Sequence, residues 1–119
     1  MPLRYLIDLW DEKTAAALTP SELLRYRSNL LGSDLRITNF GGGNTSSKLE
    51  ETDPLDGTGK TVLWVKGSGG DLGSIAEKGF ATLYLDKVLA LKRQYRGVEY
   101  EDEIVALYPL CTFGNNPVA

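Results

Sequence analysis

The chain contains no histidine. That single absence excludes most zinc enzymes and every Ser–His hydrolase, because both depend on an imidazole. Cysteine is almost as scarce: Cys111 stands alone, so an internal disulfide is impossible, and a reducing compartment fits. Positive charge is in short supply too, with 13 Lys and Arg against 16 Asp and Glu, a net charge of −3. Broad binding to nucleic acid or to an anionic membrane needs the opposite balance, and neither is expected as a partner. Any anion site must therefore be local, built from backbone amides and one or two lysines. No apolar run approaches the roughly 18 residues of a membrane span. Acidic residues near the N-terminus occupy the place where a signal peptide would be apolar. The expected location is cytoplasmic.

What remains is an ordinary globular composition, 42% hydrophobic and 24% charged. At 119 residues the chain is one domain by size, with a core that is real but not generous. With no histidine and one cysteine it cannot assemble an ordinary transition-metal site. Either no such metal is used, or the ligands lie on residues beyond this chain. The final stretch, Gly114-Asn115-Asn116-Pro117-Val118-Ala119, is turn-forming and is followed by no closing helix or strand. The expectation is a fragment, residues 1–119, truncated at its C-terminus.

Glycine is where the sequence becomes specific. Phe40-Gly41-Gly42-Gly43-Asn44-Thr45-Ser46-Ser47-Lys48 places three glycines before four short polar side chains and a lysine. A second cluster, Lys66-Gly67-Ser68-Gly69-Gly70-Asp71, follows the apolar run Val62-Leu63-Trp64-Val65. Backbone without Cβ atoms turns sharply and approaches a ligand closely. Successive N–H groups in such a turn form a concavity suited to an anion. Three glycines in a row are, more commonly, just a tight turn or bulge. Two clusters on neighbouring elements favour an anion cradle more than either alone.

The rest of the chain reads as helices, then sheet, then helices. Alternating apolar residues from Leu3 to Ile7 precede Asp11-Glu12, an acidic start to a short helix ending near Leu18. Thr19-Pro20-Ser21-Glu22 is a second helix start, with a capping hydroxyl, proline at the first position and glutamate at the third. Leu23, Leu24, Tyr26, Arg27, Leu30 and Leu31 keep helical spacing until Gly32, which is expected to end the helix. Leu35 to Asn39 is a short strand candidate. Thr45 to Lys48 begins another, and Thr61 to Lys66 is the clearest strand of the chain. Between them, residues 51–60 are acidic and turn-like, which predicts an antiparallel hairpin with both glycine clusters at one end of the sheet. Gly79 to Leu85 reads as a further strand. Asp86 is a candidate cap for a helix from Lys87 to Tyr95, closed by Gly97. Glu101 to Tyr108 is a last helix, stopped by Pro109. The fold class is α+β or a layered αβα domain.

Neither familiar nucleotide loop fits the glycines. The Walker spacing counted from Gly41 arrives at Ser46-Ser47-Lys48, and the dinucleotide spacing counted from Gly67 arrives at Leu72. Elsewhere the bland readings prevail. Cys111 between Leu110 and Phe113 has no histidine to activate it and reads as a buried apolar residue. Glu99, Glu101, Asp102 and Glu103 read as a solvated helix start. Trp10 and Trp64 read as packing anchors, Trp64 pointing inward.

Taken together the clusters are more informative. Gly43-Asn44-Thr45-Ser46-Ser47-Lys48, followed by Val62-Leu63-Trp64-Val65-Lys66-Gly67-Ser68-Gly69, resembles the N-terminal half of the class II aldolase/adducin family. Phe80-Ala81-Thr82-Leu83-Tyr84-Leu85-Asp86 and Tyr108-Pro109-Leu110-Cys111-Thr112-Phe113-Gly114 resemble a narrower branch, the aldolase half of bifunctional rhamnulose-1-phosphate aldolase/alcohol dehydrogenases. The resemblance implies an α/β fold, a three-layer αβα domain with a mainly antiparallel central sheet. It implies that Gly43 and Asn44 hold the phosphate of a phosphorylated ketose, with Ser68 and Gly69 closing on it. Lys66 departs from the family's small residue there. It reads either as a phosphate contact or as a solvated strand-end lysine.

The family's zinc is held by histidines that come after the segment where this chain stops, so no catalytic or metal residue is expected within it. A downstream short-chain dehydrogenase half would use NAD. The family also implies a homo-oligomer, a tetramer. A non-catalytic adducin-like scaffold and an epimerase are the other functions that this superfamily offers.

Overall fold

Thr19, Pro20 and Glu22 do start the longest helix. The computed structural model describes residues 8–38, 42–67 and 70–114. A short helix, α1 (Glu12–Ala16), is capped by Asp11, whose side chain accepts from the Lys13 amide. Then α2 (Pro20–Ser33) opens on a complete capping box. The Glu22 amide donates to Thr19 Oγ1 at 3.4 Å, and Glu22 Oε1 accepts from the Thr19 amide at 3.2 Å and its hydroxyl at 2.7 Å. These bonds, the Thr19 hydroxyl first, hold the Glu22 carboxyl below its ordinary 4.5. A depressed carboxylate stabilises the fold at higher pH and loses that contribution as pH falls through its folded value. Thr19→Ala is thus expected to cost about 1 kcal/mol at pH 7, as cap removals do. In thermal melts the gap from wild type should narrow as pH drops below 4.5.

One stripe of α2 is buried, Leu24, Ser28 and Gly32, four residues apart. The side chains shrink along the stripe and let the helix end approach the segment around Gly73. Gly32 does not end the helix as expected. It lies one residue inside the end, where a Cβ would sit 2.2 Å from the Gly73 amide nitrogen and 2.5 Å from the Leu72 carbonyl carbon. Close backbone approach, not a left-handed cap, accounts for it.

The strand expected at Leu35 to Asn39 is absent from its described part. Residues 35–37 form a turn, with the Ile37 and Thr38 amides donating to the Asp34 carbonyl at 2.9 and 3.1 Å. Asp34 is the reason. Its carboxylate accepts from the Arg36 amide at 3.0 Å and from the Arg36 guanidinium at 2.9 Å, a local bonding pattern that competes with extended backbone. The alternating apolar stretch from Leu3 to Ile7 lies outside the described residues.

Among the described residues three strands form one antiparallel sheet in the order β1 (Ser46–Thr52), β2 (Gly59–Lys66), β3 (Phe80–Tyr84). The register pairs Ser46 with Val65 and Thr52 with Gly59, then Val62 with Tyr84 and Lys66 with Phe80. The hairpin tip is shorter than expected, because β1 runs through Glu51 to Thr52. Asp53 closes it: its carbonyl accepts from Gly57, and its side chain from the Leu55 amide at 2.9 Å. Beside β3, Thr112 forms a lone bridge to Leu83, and the Thr82 hydroxyl donates to the Phe113 carbonyl at 2.6 Å. The chain thus returns to the free sheet edge after its last helix, a pairing with no local signal.

After β3 come α3 (Leu85–Ala90) and a 3₁₀ turn (Leu91–Gln94), in place of one continuous helix from Lys87 to Tyr95. Tyr84 occupies the cap position, and Asp86 sits in the first turn instead of capping it. The acidic start at Glu101 opens α4 (Glu101–Leu107), and Pro109 lies in the 3₁₀ turn that follows.

The core has two parts joined by one tryptophan. Leu24, Leu72, Ile75 and Phe80 form the first, and Val62, Tyr84 and Phe113 the second; Trp64 packs against both. By strand alternation Val62, Trp64, Lys66 and Phe80 share a sheet face, and α2 packs on it through Leu24. The architecture is a mixed α/β fold on an antiparallel sheet, as expected.

Candidate functional site

β1 leaves the first glycine cluster and β2 runs into the second, so antiparallel pairing carries both to one sheet end. The Lys66 amide donates to the Thr45 carbonyl at 3.0 Å, one step beyond the named strands. On its other side the Gly67 amide donates to the Gly79 carbonyl at 3.0 Å. The clusters meet a second time at Gly43. Its φ of +94° belongs to the left-handed region, and a Cβ there would lie 2.9 Å from Leu72 Cδ2. The first bend therefore rests directly on the segment that leaves the second.

Asn44, next to Gly43, is exposed at this end of the sheet. Lys66 is not the solvated strand-end lysine that one reading allowed. It is 8% exposed, and its Nζ donates to the Gly67 carbonyl at 3.3 Å. An ammonium has three hydrogens to donate. This is its one hydrogen bond among the described residues, and no ion pair there includes it. The lysine is bent back into the second glycine cluster. Ser68 and Gly69 lie outside the described residues, as does Gly41.

Lys48, the cation that ended the first motif, does not join this group. It is exposed and pairs with Leu63, on the sheet face opposite Lys66. The second cation at the first bend comes instead from α2. Arg27 Nη2 donates to the Ser46 carbonyl at 2.8 Å. Two further α2 residues touch the bends. The buried Ser28 hydroxyl lies 2.6 Å from that of Thr45, and the Asn29 amide donates to the Leu72 and Ile75 carbonyls at 3.2 and 3.1 Å. The sequence alone assigns none of the three to the bends. Ser28 carries a usable signal, a hydroxyl at helical spacing from Leu24 in an otherwise apolar stripe.

The chemistry that this arrangement offers is anion capture by backbone amides, an amide side chain and one buried ammonium. It offers nothing for zinc. The chain has no histidine, and among the described residues no three of Asp, Glu and Cys gather at one point. The other readings of single residues hold. Cys111 is 3% exposed with Sγ 3.8 Å from the Leu107 carbonyl, and burial pushes its thiol up from the usual value. Glu99, Glu101, Asp102 and Glu103 are exposed, and Glu103 pairs with Arg96 at 3.2 Å. Trp64 packs inward, its indole N–H donating to Glu51 at 2.9 Å; Trp10 packs on Tyr26 with ring centroids 5.2 Å apart. Among the described residues no helix is long and apolar enough to cross a membrane.

Comparison with known proteins agrees with this fold. No family model matches the chain. An uncharacterised oxidoreductase of Bacillus subtilis (strain 168), YuxG, is 48% identical over 84 residues, which is 70% of this chain and 12% of that protein. The structure of the N-terminal class II aldolase domain of a conserved protein from Thermoplasma acidophilum superposes with a TM-score of 0.72 at 29% identity. The match covers 99% of this chain and 51% of that one, so the chain spans about half of its structural relative and about an eighth of its curated one. With fold and sequence in agreement, the chain is similar to the N-terminal class II aldolase domain and shares its fold.

Proposed function

We propose that this chain is the phosphate-binding part of a sugar-phosphate aldolase that cleaves rhamnulose-1-phosphate to dihydroxyacetone phosphate and lactaldehyde. The observation that carries the reading is Lys66. A buried ammonium with a single carbonyl partner among the described residues is poorly compensated, and an anion seated between the two bends would complete its bonding. Gly43 and Asn44 would supply donors from the first bend, Ser68 and Gly69 from the second. These groups bind and orient the phosphate end of the ketose. Fixing that end places the distant carbon–carbon bond in a repeatable position, which is the contribution a binding group makes to catalysis.

The zinc of this family would polarise the substrate carbonyl, but the donor set of this chain, without histidine and with a single buried cysteine, is not suited to ligate it. Bond cleavage therefore belongs to residues outside the chain. The YuxG match, to an oxidoreductase, supports a parent that also carries an oxidoreductase half; we propose that this half uses NAD and that the parent is a cytoplasmic tetramer.

A calorimetric titration separates binding from chemistry. The 119-residue chain is expected to bind dihydroxyacetone phosphate, to ignore unphosphorylated dihydroxyacetone, and to leave rhamnulose-1-phosphate uncleaved. Equal affinity for both triose forms, or none for either, would favour the adducin-like scaffold. Cleavage by the chain alone would show that the chemistry had been misplaced.

A further inference from the structure

We infer that Ser28 and Asn29 are positioning residues, a single step of α2 that sets the spacing of the two glycine bends. The inference rests on the phosphate-site reading for its functional consequence, though its structural part stands apart from it. Neighbouring residues on a helix point about 100° apart. Here that divergence sends Ser28 to one bend and Asn29 to the other.

The hydrogens can be assigned. Ser28 Oγ donates to the Leu24 carbonyl at 2.7 Å, which uses its only proton. The 2.6 Å contact with Thr45 must then be donated by the Thr45 hydroxyl, giving a directed chain from Thr45 through Ser28 to the helix backbone. Ser28 is fully buried, where a hydroxyl is costly unless bonded, and alanine would satisfy the apolar stripe equally well. Asn29 uses both amide hydrogens on the segment that leaves the second bend, one on the Leu72 carbonyl and one on the Ile75 carbonyl. Thr45 lies two residues beyond Gly43, and Leu72 is the side chain on which Gly43 rests. Neither Ser28 nor Asn29 is among the groups that would touch the anion. Both act through the backbone that would.

The test uses Ser28→Ala and Asn29→Ala in the 119-residue chain with two readouts, amide hydrogen exchange and titration with inorganic phosphate. In Ser28→Ala, exchange should quicken at the Lys66 amide, which is bonded to Thr45, while the hairpin-tip Asp53 amide keeps its wild-type rate. In Asn29→Ala, the quickened amide should be that of Ser74, which donates to the Asp71 carbonyl beside Leu72. Each variant should weaken phosphate binding by about five- to tenfold, the scale of one lost hydrogen bond. Exchange that is unchanged at the bends, or that rises equally at Asp53, would overturn the inference, the latter by reducing both residues to general stability. Should wild type itself ignore phosphate, the binding reading fails, and the exchange pattern still decides the positioning role.

Discussion

Gly32→Ala is expected to destabilise the protein by about 3 kcal/mol, at the upper end of what overpacking costs. The sign is the informative part. In an exposed helix interior, glycine to alanine normally gains nearly 1 kcal/mol, because alanine is the better helix former. One residue inside the end of α2 that gain is overwhelmed. The new methyl would lie 2.2 Å from the Gly73 nitrogen, 2.5 Å from the Leu72 carbonyl carbon and 2.7 Å from Gly73 Cα. All three are backbone atoms, so no side-chain rotation relieves the clash. Helix and loop must separate, and Leu72 leaves the cluster that it shares with Leu24, Ile75 and Phe80. Urea unfolding measures the loss directly. Gly59→Ala is the control, since nothing lies within 4 Å of a Cβ there, and it should stay within about 0.5 kcal/mol of wild type. A stabilised Gly32→Ala would mean that α2 does not approach the second bend this closely.

Lys66→Met is expected to weaken phosphate binding by about ten- to a hundredfold, the worth of one charge-assisted hydrogen bond in a closed site. Methionine keeps much of the buried volume and removes only the charge and its donors. Stability should suffer little, because among the described residues the ammonium bonds a single carbonyl. Lys66→Arg is expected to rescue poorly. A planar fork does not reproduce the compact ammonium that folds back onto the Gly67 carbonyl, and Lys66 itself is only 8% exposed. Arg27 sets the contrast, since it reaches the first bend from the exposed side and holds the Ser46 carbonyl. Its replacement by methionine should change affinity less and make it less sensitive to salt. An unaltered affinity in Lys66→Met would remove the lysine from the site.

The parts of this fold that are legible in the sequence are those that short-range rules govern. Thr19, Pro20 and Glu22 announce a capping box, and the structure forms it. Val62 to Val65 announce a strand, and the hairpin between residues 46 and 66 carries the two glycine clusters to one end. What stays hidden depends on residues far apart in the chain. Gly32 resembles a helix stop until Gly73 is seen against it. Lys48 and Lys66 look alike as strand lysines, yet register sends one to solvent and buries the other. Leu35 to Thr38 carry apolar residues suited to a strand, but Asp34 and Arg36 bond locally and turn the backbone instead. The pairing of Thr112 with Leu83 has no local signature at all. Of the site itself, the glycine motifs single out Gly43, Asn44 and Lys66, whereas nothing local marks the α2 residues behind them as their support. A helix residue that holds a distant loop betrays itself only by being polar in an apolar stripe, and Ser28 is the one that does.

Titration of the isotope-labelled chain with inorganic phosphate, followed by amide resonances, bears most directly on the two bends as one anion site. The Gly43 and Asn44 amides should move together with those of Lys66 and Gly67, all fitting one dissociation constant, while Asp53 at the far hairpin tip stays still. Movement of one set alone, or two sets with different constants, would mean that the bends are neighbours without being a site.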